Sequence, residues 1–288
     1  MQPDIIVVRY WLPFMGACLG TILRRVKKNK HTKVVCIADN IIPHEKRAGD
    51  KILTQYFVKP VDAFITMSTN VLKDLKKFVN KKPTKFIPHP LYDNFGEIID
   101  KETAREKLGI AKDDKIILFF GFIRKYKGLD ILLKAMKILK ERNAGIKLLI
   151  AGEFYEDRKV YDELIDDMGI RNDLIMHTAF ISDSDVKYFL SAADCVVQPY
   201  RNATQSGVTP LAYHFEKPMI VTNVGGLPDL VPDNVGLIAE PNETDIAKKV
   251  IEFFQLGEDY FLPHLREEKK KYTWDNMVSA ILQLAAIK

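Results

Sequence analysis

The chain has 288 residues, 47% of them hydrophobic and 28% charged, with a formal net charge of +5 and three cysteines, Cys18, Cys36 and Cys195. That length suits two domains of ordinary size, no apolar run approaches the ~20 residues that span a bilayer, and three widely spaced thiols suggest neither a disulfide framework nor a zinc site. The thiols lie in apolar surroundings and read as buried structural groups, the opening Met1-Gln-Pro-Asp lacks the basic and apolar regions of a signal peptide, and a reducing cytoplasm fits.

The charge is unevenly placed. Residues 1–92 hold 17 Lys/Arg against 6 Asp/Glu, a balance of +11, whereas residues 93–288 hold 26 against 32, a balance of −6. In the first part, β-rich runs at 4–10, 33–39, 62–68 and 84–90 alternate with helical patterns near 15–29, 45–58 and 69–79. This alternation predicts βαβ units on a parallel sheet. Ser68 or Thr69 can cap the third helix. Much of the positive charge follows or interrupts these helices, at 24–30 and 73–85. A basic helix end beside an apolar face suits an anionic membrane surface or an anionic acceptor, although each cluster alone also fits a solvated lysine-rich face. No reader motif points to nucleic acid.

The polar segment 92–103 marks the expected boundary between a first domain over 1–92 and a second one. The second repeats the theme with strands at 115–122, 146–152, 174–181, 195–200, 219–224 and 236–240. Helices are expected near 129–142, 157–168, 183–193 and 208–216, and two more, near 243–256 and 274–287, close the chain. The predicted class is α/β, a pair of Rossmann-like parallel-sheet domains of which the first, with four strands, is incomplete.

Chemistry gathers in loops that follow strands. The run Gly121-Phe-Ile-Arg-Lys-Tyr-Lys-Gly128 connects an apolar strand to a helix. Ligands of open α/β sheets bind at the carboxyl ends of strands, and a helix amino terminus favours anions. Arg124 supplies a planar fork for phosphate and Lys127 a compact point charge. Alone, the loop fits a solvated basic turn equally well. A second loop, Arg201-Asn-Ala-Thr-Gln-Ser-Gly207, precedes a helix opening at Val208. There Thr204 and Ser206 offer hydroxyls and Gly207 relaxes the backbone. A third, Thr222-Asn-Val-Gly-Gly-Leu-Pro228, has paired glycines that let a ligand approach the main chain.

The order of these motifs resembles the carboxyl-terminal domain of family 4 glycosyltransferases, the retaining enzymes of the GT-B fold. The resemblance rests on 121–128, Leu148-Leu-Ile-Ala-Gly-Glu153, Phe180-Ile-Ser-Asp183, Ala192-Ala-Asp194 and Glu216-Lys-Pro-Met-Ile-Val-Thr-Asn-Val-Gly-Gly-Leu-Pro228. Weaker similarity covers Phe64-Ile-Thr-Met-Ser68, Phe86-Ile-Pro-His-Pro90 and Tyr272-Thr-Trp274. It implies a carboxyl domain over 93–272 and a terminal helix over 273–288 that crosses back to the first domain. It also implies transfer of a sugar from a nucleotide-diphosphate donor to a glycan or lipid-linked acceptor, with no metal and no cofactor beyond the nucleotide sugar. Lys127 and Arg124 would neutralise the leaving diphosphate beside Gly121. The base would pack near Phe180 and Ile181, and Gly152 and Glu153 would contact ribose or base. Thr204, Gln205, Ser206, Gly207 and Val208 would complete the donor site.

The chain also departs from the family pattern. The family's arginine directly after the glycine is replaced by Phe122, and its two glutamates eight positions apart by Ala203 and Leu211. No histidine follows the early strand, where Ala38-Asp39 stands, so His44 with Glu45 is the acceptor-side candidate, or else a helix cap. His177 and His214 read as packed or surface histidines. The family's opening strand and glycine-rich loop have no counterpart, so the chain is expected to be a fragment of a longer protein, the reading its hydrophobic opening strand favours, or else to accommodate a shortened start. The expected function is a cytoplasmic glycosyltransferase of polysaccharide or glycolipid synthesis, peripheral at the inner face of the membrane. Its alternative is a non-catalytic nucleotide-sugar-binding protein or inactive fragment. Another enzyme of the same fold, such as an epimerase or a phosphorylase, is a third reading.

Overall fold

Alternate side chains of the run Lys33–Ala38 serve two different cores. Val34, Cys36 and Ala38 pack into one, Val35 and Ile37 into another. A strand buried on both faces belongs to a parallel sheet covered by helices on both sides. The computed structural model, which describes residues 2–43, 47–92, 94–203 and 206–286, contains two such sheets. They lie in two units, Met1–Pro90 with Tyr272–Lys288, and Leu91–Lys271.

The first unit is a four-stranded parallel sheet in the order β1 (Ile5–Tyr10), β2 (Lys33–Ala38), β3 (Ala63–Thr66) and β4 (Thr84–Phe86). Three helices, α1 (Met15–Val26), α2 (Asp50–Val58) and α3 (Thr69–Lys76), follow the first three strands. Leu23, Phe57, Val71 and Leu75 from these helices meet Tyr10, Val34 and Phe64 in one core. Ser68 caps α3 as expected, its side chain accepting from the Val71 N–H at 3.2 Å. On the other face, Met277, Ala280 and Ala285 of the helix Trp274–Ala285 pack on Val35, Ile65 and Met67. One expectation fails. Cys18 is exposed, because α1 buries Gly16, Gly20 and Leu23 and turns Phe14, Cys18 and Ile22 to solvent. Cys36 and Cys195 are buried, and burial pushes both thiols well above their usual range.

The second unit runs α4 (Lys101–Leu108), β5 (Lys115–Phe120), α5 (Leu129–Glu141), β6 (Ile146–Ala151), α6 (Arg158–Met168), β7 (Leu174–His177) and α7 (Val186–Ala192). It continues through β8 (Cys195–Gln198), α8 (Val208–His214), β9 (Met219–Thr222), β10 (Gly236–Ala239), α9 (Glu243–Leu256) and α10 (Glu258–Lys269), and the chain ends on α11 (Trp274–Ala285) of the first unit. Its sheet has the order β10-β9-β8-β5-β6-β7, all parallel. From β5 the chain moves outward to β7, then crosses back to place β8 on the other side of β5. That reversal opens a crevice beyond the carboxyl ends of β5 and β8, where ligands of such sheets bind. The two Rossmann-like sheets match the expected class.

Two helices fall outside the sequence expectation. The helix α4 begins inside the segment read as a polar boundary, where the Asp100 side chain accepts from the Thr103 N–H at 2.8 Å. The helix α10 buries only Phe261 and Leu265 and contains Pro263, so its apolar period is thin. Both anchor a buried charge cluster. Asp194 accepts from Arg105 at 3.1 and 3.2 Å, from Lys101 at 2.9 Å and from the Ile116 N–H at 2.7 Å. Glu258 pairs with Lys101 and, at 3.0 Å, with Lys217. No helix among the described residues is long and apolar enough to cross a membrane.

Candidate functional site

Pairing between β5 and β6 continues past both strands. The Gly121 N–H donates to the Ala151 carbonyl at 2.8 Å, Ile123 to Glu153 at 2.8 Å, and Tyr155 back to Ile123 at 3.0 Å. A 3-10 turn, Lys125–Lys127, then reverses the chain at Gly128 with φ 68°. A Cβ at Gly128 would lie 2.0 Å from the Pro199 carbonyl oxygen, and one at Gly152, with φ 145°, would lie 2.3 Å from that of Gly121. Only glycine permits these approaches. They bring the loops after β5, β6 and β8 together at the switch point.

Lys127 sits at their centre and is only 9% exposed. Its ammonium lies 5.7 Å from the Tyr200 ring centroid and 3.0 Å from where a Gly121 Cβ would be. No hydrogen bond or ion pair holds that ammonium among the described residues. Burial, and then the neighbouring Arg124 charge, lower its pKa to about 8. A buried cation without a counterion is a costly arrangement, and an anionic ligand relieves it. Arg124 is exposed, its guanidinium carbon 4.9 Å from the Tyr155 ring centroid. Tyr155 in turn packs on Phe122 at 4.5 Å. The residue standing in place of the family's arginine therefore builds an aromatic rim beside the shifted arginine.

The loop after β8 is fastened to this centre by residues the sequence reading did not single out. Arg201 makes a two-pronged ion pair with Asp130 of α5, both bonds 2.6 Å, and its N–H donates to the Tyr126 carbonyl at 2.7 Å. The pair holds the Asp130 carboxyl below its usual range despite its partial burial. The Tyr200 hydroxyl is 3.1 Å from Ser206 Oγ, which also accepts from the Val208 N–H at 3.1 Å, and burial pushes the Tyr200 hydroxyl well above its usual range. Arg201 and Asp130, 71 positions apart, leave no local pattern to read. Ala203 and Leu211, at the family's glutamate positions, are both buried. The third loop packs on the second, the Gly226 N–H donating to the Ala203 carbonyl at 3.3 Å. Gly207 lies in contact range of the Tyr92 hydroxyl, which a Cβ there would meet at 3.6 Å.

Further along the same edge, the chain after β7 borders a cavity of about 530 Å³ lined by Lys107, Met176, His177, Phe180, Ile181 and Tyr188. Phe180 is 74% exposed, Ile181 is half-buried, and the Gly152 N–H donates to the His177 carbonyl at 2.9 Å. Glu153 is half-buried at the neighbouring strand end. Gly121, Arg124, Lys127, Gly152, Glu153, Phe180, Ile181, Ser206, Gly207 and Val208 thus all lie beyond the carboxyl ends of β5 to β8. His177 packs edge-on against Phe189, and His214 meets the Gly96 carbonyl at 2.7 Å. Thr204, Gln205, His44 and Glu45 lie outside the described residues.

The family model for "Glycosyl transferases group 1" matches residues 100–272. An uncharacterized glycosyltransferase of Methanocaldococcus jannaschii is 28% identical over 194 residues, covering 65% of this chain and 49% of that protein. A D-inositol 3-phosphate glycosyltransferase of Saccharomonospora viridis is 25% identical over 264 residues, 88% of this chain and 56% of that protein. The chain therefore spans about half the length of these two relatives. Among solved structures, Anabaena HepE in complex with UDP superimposes with a TM-score of 0.78 at 17% identity, over 98% of this chain and 77% of that one. Such identity speaks for the fold alone. With the group 1 model matched over more than half its length, the chain belongs to the glycosyl transferases group 1 family.

Proposed function

We propose that this protein transfers a sugar from a nucleotide-diphosphate donor to a glycan or glycolipid acceptor, with retention at the anomeric carbon. The observation that carries the reading is Lys127, a buried ammonium at the switch point of a parallel sheet with no hydrogen-bond or ion-pair partner among the described residues. As the bond between anomeric carbon and phosphate oxygen breaks, its electron pair passes to the diphosphate. Lys127 faces that growing charge in a site poor in water, where fixed cations act most strongly. Arg124 adds a second positive charge from the rim. The cavity beside Phe180 and Ile181 takes the base, Glu153 and Gly152 lie toward the ribose, and Ser206, Gly207 and Val208, with Thr204 and Gln205, bound the diphosphate and sugar. HepE has been crystallised with UDP and with UDP-glucose, which makes UDP-sugars the first donors to try. The +11 balance of residues 1–92 supports work at the cytoplasmic face of an anionic membrane.

The test is incubation with UDP-, GDP- and ADP-sugars, scored separately for binding, hydrolysis and transfer. Binding with turnover supports the enzyme. A second reading, a nucleotide-sugar-binding protein without transfer, is favoured by one observation: buried apolar side chains occupy both glutamate positions, so neither supplies a carboxylate. Binding without turnover selects it, and no binding by any donor overturns both.

Donor affinity should also depend on pH with a definite sign. In the free protein Lys127 loses its proton near pH 8, whereas a bound diphosphate favours the charged form. Nucleoside-diphosphate affinity should be level below that point and fall, by up to about tenfold per pH unit, above it. Phosphate ionisation, with a pKa of about 6, is complete by then. Calorimetry between about pH 7.5 and 9.5 should show proton uptake on binding. A level affinity across that range would remove Lys127 from the diphosphate contact.

A further inference from the structure

At the opposite, amino-terminal edge of the first unit's sheet lies a cavity of about 520 Å³ that plays no part in the donor site. It forms where α1 and α2 end and where β3 and β4 are about to begin. Arg24, Lys27, Lys28, Lys59 and Lys82 line it, with Asp62 the single acid among its lining residues. The fold fixes three of these cations. The Arg24 guanidinium lies 3.6 Å from the Tyr56 ring centroid and donates to the Gly20 and Tyr56 carbonyls at 2.8 and 2.6 Å. Lys27 holds both Asp62 oxygens, at 2.9 and 2.8 Å. Lys82 donates to the carbonyls of Val58, Lys59 and Val61, at 2.9, 2.7 and 2.6 Å.

Lys28 and Lys59 have no such task. Both are exposed at the mouth of the cavity, and no hydrogen bond or ion pair holds either ammonium among the described residues. Helix ends tolerate cations, but five around one carboxylate exceed what two helix ends need. Asp62 is already engaged by Lys27 and by the Val34 N–H at 2.8 Å, so it offers nothing further to neutralise them. Burial, and repulsion from Lys27, lower the Lys82 pKa, while Asp62 opposes the shift. Three of the cations are held in place by the fold, and the ammonium groups of the other two have no partner among the described residues.

We propose that this cavity is an anion site for a multiply charged phosphate group, held by Lys28 and Lys59 over the fixed charges of Arg24, Lys27 and Lys82. The group arrives either in solution or on a lipid headgroup. The lipid source is included because Phe14, Cys18 and Ile22, on the exposed side of α1, give that helix an apolar face ahead of its basic end.

The experiment uses the full chain carrying Arg124→Met and Lys127→Met, which removes both donor-site cations and so separates the two sites. Pyrophosphate is the soluble probe in calorimetry. Vesicles of phosphatidylcholine with and without phosphatidic acid are the lipid probe in sedimentation, repeated with added salt. Lys28→Glu with Lys59→Glu should weaken binding to at least one probe by about tenfold or more, while Lys73→Glu with Lys76→Glu, an equal charge change elsewhere on the unit, should not. The affected probe identifies the source. Binding to neither probe overturns the site, and so does an equal loss for Lys73→Glu with Lys76→Glu. Lys28, Lys59, Lys73 and Lys76 are exposed, and circular dichroism of each variant checks that it folds.

Discussion

Replacing Lys127 with methionine should weaken nucleoside-diphosphate binding roughly 30-fold or more while stabilising the unliganded fold. The first effect follows from removing one partner of a buried charge contact, typically worth about 2–5 kcal/mol. The second follows from the same burial. A pKa lowered from 10.5 to about 8 means that folding disfavours the charged form by on the order of 3 kcal/mol. Below pH 8 the lysine is charged in both folded and unfolded chains, and this cost is fully present. Between pH 8 and 10.5 the unfolded chain holds the proton and the folded one does not, so this group's contribution to stability rises with pH. The methionine variant should therefore melt above the parent at neutral pH, and the difference should shrink as pH rises toward 10.5. Differential scanning calorimetry at several pH values reads this directly. Binding of the bare nucleoside should change little. An equal loss for nucleoside and diphosphate, or a variant that melts lower at neutral pH, would show that Lys127 is not a strained anion contact.

That opposition between binding and stability explains why the sequence alone left the basic loop ambiguous. Lys125 and Lys127 are the same residue type two positions apart. One is exposed and the other buried, because the 3-10 turn and the left-handed Gly128 direct alternate side chains to opposite sides. A tertiary approach, Gly128 against Pro199, fixes that turn, and nothing local announces it. Strand positions were easier to read, since the unbroken apolar runs within Lys33–Ala38 and Lys115–Phe120, buried on both faces, are written in the sequence itself. Helices with thin apolar stripes were not. The helix α4 is stabilised by its Asp100 cap and by Arg105, a charged side chain buried against distant partners, where hydrophobic period predicts only a polar segment. The Arg201–Asp130 staple escaped for a similar reason, because its partners are 71 positions apart. Cys18 was misjudged because apolar neighbours in sequence do not fix which face of a helix is packed.

The second large effect concerns Asp194, and it separates what marks the family from what performs chemistry. Asp194→Ala should destabilise the second unit by about 3–5 kcal/mol, because it strands a buried charge. Arg105 is 4% exposed. Its remaining bonds, to the Ala192 carbonyl at 3.0 Å and to the Lys112 carbonyl, leave its charge uncompensated. The Ile116 N–H at the start of β5 would also lose its acceptor. Lys101 would keep Glu258, but Glu258 would then serve Lys101 and Lys217 alone. Asp194→Asn should cost less, since an amide oxygen can still accept from Arg105 and Ile116 while the charge is lost. The residue stands just before Cys195, at the amino end of β8, whereas the proposed donor site lies beyond the carboxyl ends of the strands. Donor affinity of the folded variant should therefore match the parent. Urea unfolding measures the first quantity and calorimetry the second. Unchanged stability in Asp194→Ala would sink the buried-charge account. Lost donor affinity in a fully folded Asp194→Asn protein would instead tie the motif to the reaction.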